Sequence, residues 1–262
     1  MVKKWSVSYP AFTGTEMRNV YIYLPLQYEY EPKQRYPVLY MFDGHNVFFD
    51  QDATYGKSWG LGKYLDRTAT PLIVVAVECN HSPENGRLSE YSPFDFDDPH
   101  YGKFAGRGQE TMEWFIRKLK PRIDREYRTL KDRDHTFIMG SSMGGLMSLY
   151  AVLKYNKVFS RAAALSPSIW VAPEKLRELV RRAPLSPDTV VYMDYGSREM
   201  GFHADMEAAF ANLGAQMLSR RLKLTLRIVP DGDHCEACWE KQLPFCIGML
   251  MYGLDEAEEE EA

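Results

Sequence analysis

A serine between two glycines lies near the centre of the chain, in the string Gly140-Ser-Ser-Met-Gly144. The apolar residues 136–139 before it predict a buried strand, and the apolar pattern after it predicts a helix. A strand, a sharp turn between glycines and a helix form the setting in which a serine side chain becomes an exposed nucleophile. Ser142 is therefore predicted to attack a carbonyl carbon, with the first N–H groups of the helix beside the developing oxyanion.

The same G-x-S-x-G pattern occurs a second time, in Gly56-Lys-Ser-Trp-Gly60. The residues before it, 50–55, are polar and irregular, so no strand leads into this turn. Ser58 is therefore not predicted to be a nucleophile, because the pattern carries weight only in its structural context.

A serine hydroxyl is a weak nucleophile and needs a neighbouring base, which in turn needs an orienting carboxylate. In strand–turn–helix nucleophiles the acid and the histidine follow the serine in the chain, each after a later strand. Of the six histidines, His234 alone lies between the last predicted strand, 222–229, and the last predicted helix, 238–251. His234 is therefore predicted to be the base.

The orienting carboxylate is expected after the predicted strand 190–195. Glu199 lies in the turn beyond this strand, where its side chain can reach outward, whereas Asp194 lies inside the strand. Glu199 is preferred and Asp194 stays open as the alternative. A turn or helix-capping carboxylate is the non-catalytic interpretation of Glu199.

Two backbone N–H groups are expected to stabilise the oxyanion. One belongs to Met143, directly after the serine. The other belongs to the loop after the predicted strand 38–42, where Asp43-Gly-His45 supplies a glycine turn, and the His45 N–H is preferred.

The remaining pattern places these residues in an α/β fold. Two alternating runs predict an antiparallel hairpin at the N-terminus, and strands alternating with helices predict a mainly parallel central sheet with helices on both faces. A single domain is expected over residues 1–254. The predicted strands are 5–9, 18–24, 38–42, 72–77, 136–139, 162–165, 190–195 and 222–229, and the predicted helices are 56–66, 109–127 with a kink at Pro121, 174–182, 206–217 and 238–251.

The longest segment without a predicted element is 79–107, which is rich in prolines, aromatic residues and carboxylates. A loop of this length in a compact domain is usually functional, and its place after a strand favours a lid or pocket wall. Tyr91 and Phe94 in this segment, and Trp170 after the strand 162–165, are predicted to line the pocket. Each could equally be a packing residue.

Composition excludes several classes of protein. Hydrophobic residues make up 45% and charged residues 26% of the 262 residues, as in ordinary globular proteins. The net charge of −4 comes from the tail 255–262, whose six acidic residues predict a disordered end, so the nearly neutral remainder offers no surface for nucleic acid. No apolar run could cross a bilayer and no signal peptide is recognisable, so we expect a cytoplasmic protein without a membrane partner.

Four cysteines without regular spacing argue against a disulfide framework. Cys235-Glu-Ala-Cys238 is a C-x-x-C string beside His234, but a zinc or redox site would need a second ligand pair or a thioredoxin-like context. Neither is evident in the sequence. Buried or incidental cysteines are therefore expected here.

Four strings resemble the putative esterase family of α/β hydrolases, which contains esterase D, ferric-enterochelin esterases, feruloyl and acetyl-xylan esterases and the mycolyltransferases. They are Met41-Phe-Asp-Gly-His-Asn-Val-Phe-Phe-Asp50, Arg87-Leu-Ser-Glu-Tyr91, Gly140-Ser-Ser-Met-Gly-Gly-Leu146 and Asp231-Gly-Asp-His234. The resemblance implies an α/β-hydrolase fold, Ser142 as nucleophile, His234 as base, a carboxylate at the turn of Glu199, no metal and no organic cofactor. The chain departs from similar sequences in having Glu199 where many have Asp, and His45 where Gln is commoner.

These observations predict a serine carboxylic-ester hydrolase that acts on a small-molecule ester, of the short-acyl, sugar or phenolic kind. An acyltransferase would use the same triad, a siderophore (trilactone) esterase would need a basic pocket, and a non-catalytic binding protein could share the fold. The carboxylates of segment 79–107 argue against the siderophore alternative. The sequence leaves open whether the protein forms a homo-oligomer.

Overall fold

A central sheet carries the elements of the site in the computed structural model, which describes residues 1–11 and 14–254. In the described part, the strands are β1 (Val2–Ala11), β2 (Gly14–Tyr23), β3 (Val38–Met41), β4 (Ile73–Val77), β5 (Phe96–Asp98), β6 (Gly102–Phe104), β7 (Thr136–Ser141), β8 (Arg161–Leu165), β9 (Val190–Gly196) and β10 (Lys223–Val229). The helices are α1 (Leu61–Thr68), α2 (Gly86–Glu90), α3 (Gly108–Trp114), α4 (Lys120–Glu126), α5 (Met143–Lys154), α6 (Pro173–Arg182), α7 (Met206–Ser219), α8 (Glu236–Glu240) and α9 (Leu243–Met251).

The central sheet has eight strands in the order β1-β2-β4-β3-β7-β8-β9-β10 within the described residues. The pairs β1–β2 and β2–β4 are antiparallel, and every later neighbouring pair is parallel. This arrangement confirms the predicted N-terminal hairpin and mainly parallel sheet. Because parallel strands end at one edge of a sheet, the loops after β3, β7, β8, β9 and β10 lie together.

Helices cover both faces of the sheet, as predicted. Alternate residues of each inner strand point to opposite faces. Ile138 belongs to the hydrophobic cluster that includes residues of α3, α5, α6 and α7, and Phe137 and Met139 belong to the cluster that includes residues of α1, α8 and α9. Every residue of the inner strands β3, β4, β7 and β9 is buried. Continuous apolar strands of this kind belong to a parallel sheet covered on both sides.

Two predicted helices begin or end elsewhere because of glycine and proline. The helix predicted at 56–66 begins only at Leu61, since Gly60 before it has a φ of 61° and cannot be part of a right-handed helix. The helix predicted at 238–251 is divided into α8 and α9. Pro244 lies at the start of α9, where it lacks an N–H and its ring would clash with the carbonyl of Glu240, the residue that ends α8.

The helix predicted at 109–127 is continuous but changes its winding. A π-helical turn, Phe115–Leu119, joins α3 to α4, and the Lys120 N–H donates to the Phe115 carbonyl. Pro121 follows Lys120 directly and has no N–H to donate, so the change of winding lies next to the proline in the chain. Beside the proline, where a kink was predicted, the structure has a π-turn that ends two residues before Pro121.

Segment 79–107 is less irregular than predicted. It contains α2 and a small antiparallel sheet of β5 and β6, in which the Phe96 and Phe104 rings stack with centroids 5.2 Å apart. Phe96 also meets the edge of Trp170 at 6.0 Å, so the segment packs against the loop after β8. The predicted acidic tail, 255–262, lies outside the described residues. No helix of the described ranges has both the length and the apolar character needed to cross a bilayer.

Candidate active site

Ser142 lies between β7 and α5 in a backbone conformation that is costly for a residue with a side chain. Its φ of 57° and ψ of −123° fall outside the regions that such residues prefer. Three hydrogen bonds fix this turn: the Ser142 N–H donates to the Leu165 carbonyl at 2.9 Å, and the Ser142 carbonyl accepts from the N–H groups of Leu146 and Ser168 at 3.0 Å each. The strained geometry lifts the Ser142 side chain off the sheet, at the strand ends.

The flanking glycines are required by close approach of the backbone. A Cβ atom at Gly140 would lie 2.7 Å from the Gly144 carbonyl carbon, and one at Gly144 would lie 3.0 Å from the Phe42 Cβ. The first distance is far below van der Waals contact, so the turn closes only with glycine at position 140.

His234 and Glu199 meet across the loops after β10 and β9. The His234 Nδ1 lies 2.6 Å from the Glu199 Oε2, and the register Val229↔Gly196 brings the ends of the two strands side by side. The Glu199 side chain is only 2% exposed, whereas 34% of the His234 side chain is exposed. A buried carboxylate on one nitrogen leaves the other nitrogen, Nε2, free to take a proton.

Glu199 is itself held in place by two donors. The Ser166 hydroxyl donates to the Glu199 Oε1 at 2.7 Å, and the Gly196 N–H donates to the same oxygen at 2.8 Å. The Trp239 indole N–H donates in turn to the Ser166 hydroxyl at 3.0 Å, and its ring meets the edge of the His234 imidazole at 5.0 Å. These contacts satisfy the buried carboxylate and fix the direction in which it faces.

Asp194, the alternative acid, has different partners. Its Oδ2 accepts a hydrogen bond of 2.7 Å from the Tyr192 hydroxyl, and its Oδ1 accepts from the Ser166 N–H at 3.4 Å. Burial raises the pKa of Asp194 to about 6. Among the described residues, Glu199 makes a hydrogen bond to the His234 ring and Asp194 does not.

The Ser142 hydroxyl points at another serine. Its Oγ lies 3.4 Å from the Ser168 Oγ, and within residues 1–11 and 14–254 no hydrogen bond joins Ser142 to His234. Both side chains nevertheless line the same cavity. Catalytic hydrogen bonds are often long before substrate binds, so the lack of a hydrogen bond between Ser142 and His234 in this structure is compatible with a shared catalytic role.

The loop after β3 is braced from segment 79–107. Asp43 has a left-handed φ of 54°, and its carboxylate accepts two hydrogen bonds of 2.7 Å from the Arg87 guanidinium. The Asp43 N–H donates to the Tyr91 hydroxyl at 3.3 Å. Tyr91 is 1% exposed and supports this loop from beneath. It does not line the cavity with Ser142, contrary to the prediction.

The two predicted oxyanion donors lie differently. Met143 is the first residue of α5 and lines the cavity, so its N–H belongs to the unpaired first turn of a helix. His45 lies in the short turn Gly44–Asn46, and a Cβ at Gly44 would be 2.6 Å from the Ala76 carbonyl oxygen. The His45 imidazole faces away from the cavity toward Thr54 and His81, so only its backbone can serve there.

The cavity beside Ser142 has a volume of about 240 Å³. Trp170, predicted as a pocket residue, forms one wall with its ring stacked on His203 at a centroid distance of 4.2 Å. Phe94, also predicted, lies in a separate surface groove against Tyr150 and contributes nothing here. The residues lining the cavity are Arg87, Leu88, Ser142, Met143, Ser166, Ser168, Trp170, Tyr195, Glu199, Phe202, His203, Met206 and His234.

Several lining residues carry no recognisable sequence signal. Phe202 and His203 lie between β9 and α7, in a stretch for which the sequence predicts neither a strand nor a helix. Ser168 lies three residues beyond the Leu165 end of β8, and the strand-end argument that found Glu199 could have singled it out. The described residues also include a group with metal-ligand chemistry, His45, Cys79 and His81, which lies outside the cavity lining.

Solved structures define the class of fold. A siderophore hydrolase, EstA from Aspergillus nidulans, superposes with a TM-score of 0.72 at 20% identity, covering 95% of this chain and 95% of that chain. A ferulic acid esterase superposes with a TM-score of 0.69 at 18% identity, covering 95% and 97%. The fold is therefore the α/β-hydrolase fold of these enzymes, as predicted.

The family is shown by the sequence itself. The profile described as "putative esterase" matches residues 13–246, and the chain belongs to this family. The uncharacterised protein YbbA of Bacillus subtilis is 27% identical over 185 residues, which are 70% of this chain and 69% of that protein. The resemblance inferred from the four sequence strings is thus confirmed, and the protein is a carboxylic-ester hydrolase.

Proposed function

We propose that the protein is a serine carboxylic-ester hydrolase in which Ser142 is the nucleophile, His234 the general base and Glu199 the orienting acid. The observation that carries this proposal is the 2.6 Å contact of Glu199 with His234 in the cavity that also exposes the strained Ser142. A nucleophile on a sharp turn and a carboxylate-oriented histidine are the two parts that acyl transfer requires.

The proposed reaction has two halves. The Ser142 hydroxyl turns from Ser168 toward His234, gives up its proton to the His234 Nε2 and attacks the ester carbonyl. The Met143 and His45 N–H groups stabilise the tetrahedral oxyanion, and His234 returns the proton to the departing alcohol. His234 then takes a proton from water, which attacks the carbonyl of the acyl-enzyme. As this second tetrahedral intermediate collapses, His234 returns the proton to the Ser142 Oγ and the acid is released.

Glu199 keeps its negative charge throughout this cycle. With the Glu199 Oε2 accepting the Nδ1–H of His234, the proton-accepting lone pair of the imidazole lies on Nε2. The carboxylate also stabilises the imidazolium that forms after Ser142 is deprotonated. Its two other donors, from Ser166 and Gly196, hold the carboxylate in this orientation while the charge on the ring changes.

The cavity walls favour an ester with a short acyl or flat phenolic portion. The stacked Trp170 and His203 rings and the exposed Phe202 offer aromatic faces beside Ser142. A cavity of about 240 Å³ holds one ring-sized group, and ring faces attract other rings in offset or edge-on contact. A sugar ester stacked on Trp170 would fit the same wall.

The exposure of His234 favours hydrolysis over acyl transfer. Because 34% of this side chain is exposed, water reaches the base without a conformational change. A siderophore ester is the competing substrate, since EstA is named for that activity. The guanidinium of Arg87 lines the cavity but is already paired with Asp43, so it offers little attraction to an anionic ligand.

The experiment is a substrate panel with wild type and Ser142→Ala. We expect hydrolysis of p-nitrophenyl acetate and of methyl ferulate, and a loss of about 10⁶-fold in kcat in the variant. Enterobactin cleaved faster than both would establish the siderophore alternative. Unaltered rates in Ser142→Ala would overturn the proposal, and Ser58→Ala is the matched control, because the Ser58 hydroxyl is buried against Asp50.

A further inference from the structure

Three side chains with metal-ligand chemistry converge beside the active-site loops. One ligand atom each from His45, Cys79 and His81 lies within 4.8 Å of the other two. The sheet explains the meeting, because β3 and β4 are parallel neighbours in the register Met41↔Ala76, and the loops that follow them leave the same edge. The string Cys79-Asn-His81 then supplies two ligands from one loop.

His45 has one ring nitrogen without a partner in the described part of the chain. Its Nε2 lies 3.0 Å from the Thr54 hydroxyl, and its Nδ1 is buried without a hydrogen-bond partner in the described part of the chain. The residue is only 6% exposed, so this nitrogen cannot bond to bulk water. A metal-ligating histidine commonly donates its other N–H to an oxygen, as the contact with Thr54 allows, and a buried unpaired nitrogen costs stability until something occupies it.

The other two side chains provide complementary chemistry and access. Cys79 is 3% exposed and is a free cysteine, and His81 lies at the surface. The His45 and His81 rings already approach edge to face with centroids 4.7 Å apart. Because the His81 side chain is exposed, an ion can reach the buried thiol and imidazole from solvent along it.

We propose that His45, Cys79 and His81 bind a zinc ion, with water as the fourth ligand. Two imidazoles and one thiolate are the nitrogen and sulfur donors that Zn²⁺ takes in tetrahedral sites, whereas Mg²⁺ and Ca²⁺ require oxygen. Binding replaces the Cys79 S–H bond with a bond from sulfur to zinc, and the proton passes to solvent. The oxidation state of the ion and of the sulfur is unchanged.

The surrounding charges permit a cation. Asp43 and Glu78 are the nearby carboxylates, and the Glu78 oxygens accept hydrogen bonds from Asn19 and Tyr21. Arg87 is the opposing charge, but its guanidinium donates both of its bonds to Asp43 at 2.7 Å. The positive charge of Arg87 is thus offset by Asp43 before the ion binds. The carboxylate of Glu78 remains, and it gives the site a net attraction for a divalent cation.

The proposed ion goes beyond ester hydrolysis, because it would join the loop after β3 to the loop after β4. The first of these loops carries the His45 N–H. The site lies outside the cavity lining, so the ion has no part in the chemical step proposed for Ser142.

The test is a calorimetric titration of the purified full chain with Zn²⁺ alone. A second titration uses Co²⁺, whose thiolate charge-transfer absorption reports sulfur ligation. We expect one ion per chain, and a loss of more than about tenfold in affinity in His81→Ala and in Cys79→Ser. His81 is exposed, so His81→Ala keeps the test valid if the buried Cys79→Ser fails to fold.

Two matched controls locate the ion. His100→Ala removes another exposed histidine of the same segment, and Cys235→Ser/Cys238→Ser removes the C-x-x-C pair. Both should bind Zn²⁺ as wild type does. Wild-type affinity in His81→Ala, or loss of binding in the double cysteine variant, would place the ion elsewhere and overturn the proposal.

Discussion

Arg87 holds Asp43 with two parallel hydrogen bonds of 2.7 Å, from Nε and Nη2 to the two carboxylate oxygens. Burial alone would raise the pKa of Asp43, but the charge and hydrogen bonds of Arg87 lower it below its ordinary value. The ionised carboxylate therefore fixes the left-handed turn that precedes Gly44 and the proposed His45 donor. A residue of segment 79–107 thus determines the geometry of the loop after β3.

Replacing Arg87 by lysine should reduce kcat by about tenfold to a hundredfold and change KM little. Lysine cannot make the paired contact, so the turn loosens and the His45 N–H shifts relative to the oxyanion. Steady-state kinetics on p-nitrophenyl acetate measure the effect. Arg125→Lys is the control, because Arg125 is 70% exposed and lies in the distant α4. Equal kcat values in the two variants would exclude this role for Arg87.

Glu199→Gln should lower kcat by about 10⁴-fold, as expected when the orienting partner of a catalytic histidine loses its charge. Asp194→Asn should retain most of the activity, because Asp194 bonds to Tyr192 and not to His234. Parallel rate measurements at neutral pH compare the two isosteric changes. A larger loss in Asp194→Asn than in Glu199→Gln would reverse the assignment of the acid.

Asp194 should make the protein less stable as the pH rises. Burial raises its pKa to about 6 from an ordinary 3.8, so the folded protein binds this proton more tightly than the unfolded chain does. Its contribution is fully present below pH 3.8 and is lost as the pH rises to about 6. A shift of this size corresponds to about 3 kcal/mol.

Asp194→Asn removes this titration. Urea unfolding at a series of pH values measures the free energy of unfolding of both proteins. The value for the variant minus that for wild type should increase across this pH window and stay constant above it. A free-energy difference that does not change with pH would mean that Asp194 titrates normally.

Gly140→Ala should destabilise the protein by about 1–3 kcal/mol and abolish hydrolysis, because the new methyl group meets the Gly144 backbone at 2.7 Å. Gly248→Ala is the matched control, since its added Cβ meets no atom within 4 Å beyond its chain neighbours and the backbone of its own helix, and alanine favours the helix α9. Urea midpoints and ester hydrolysis rates measure both. A fully active Gly140→Ala would show that the turn can open without loss of function.

The order of elements and the strand ends were predictable because both follow from local patterns. Buried parallel strands are continuous apolar runs, and a polar residue just beyond such a run must lie at one edge of the sheet. This reasoning alone brought Ser142, Glu199 and His234 to the same edge. The Glu199–His234 contact then depends on the register of β9 and β10, which the sequence does not specify residue by residue.

The cavity walls were harder to predict because they depend on contacts between distant segments. Tyr91 and Phe94 were predicted to line the pocket because of their type and their place in a loop. In the structure, Tyr91 contacts the turn at Asp43, and Phe94 lies in a separate groove. His203 was not predicted as a pocket residue, although it stacks on Trp170 from the loop after another strand. An aromatic residue in a long segment has many partners of similar energy, so its type does not determine its position.

The position of β10 has a consequence for when the enzyme gains and loses its activity. This strand lies at the margin of the described sheet, hydrogen-bonded to β9 only, and the loop that carries His234 follows it directly. Strands with one neighbour open more readily than the inner strands, so the base is attached to one of the two least protected strands of the described sheet, the other being β1. On gentle heating, ester turnover should therefore vanish while the inner strands are still paired, and during synthesis on the ribosome the chain gains its activity only after β10, the last strand of the described residues, has docked.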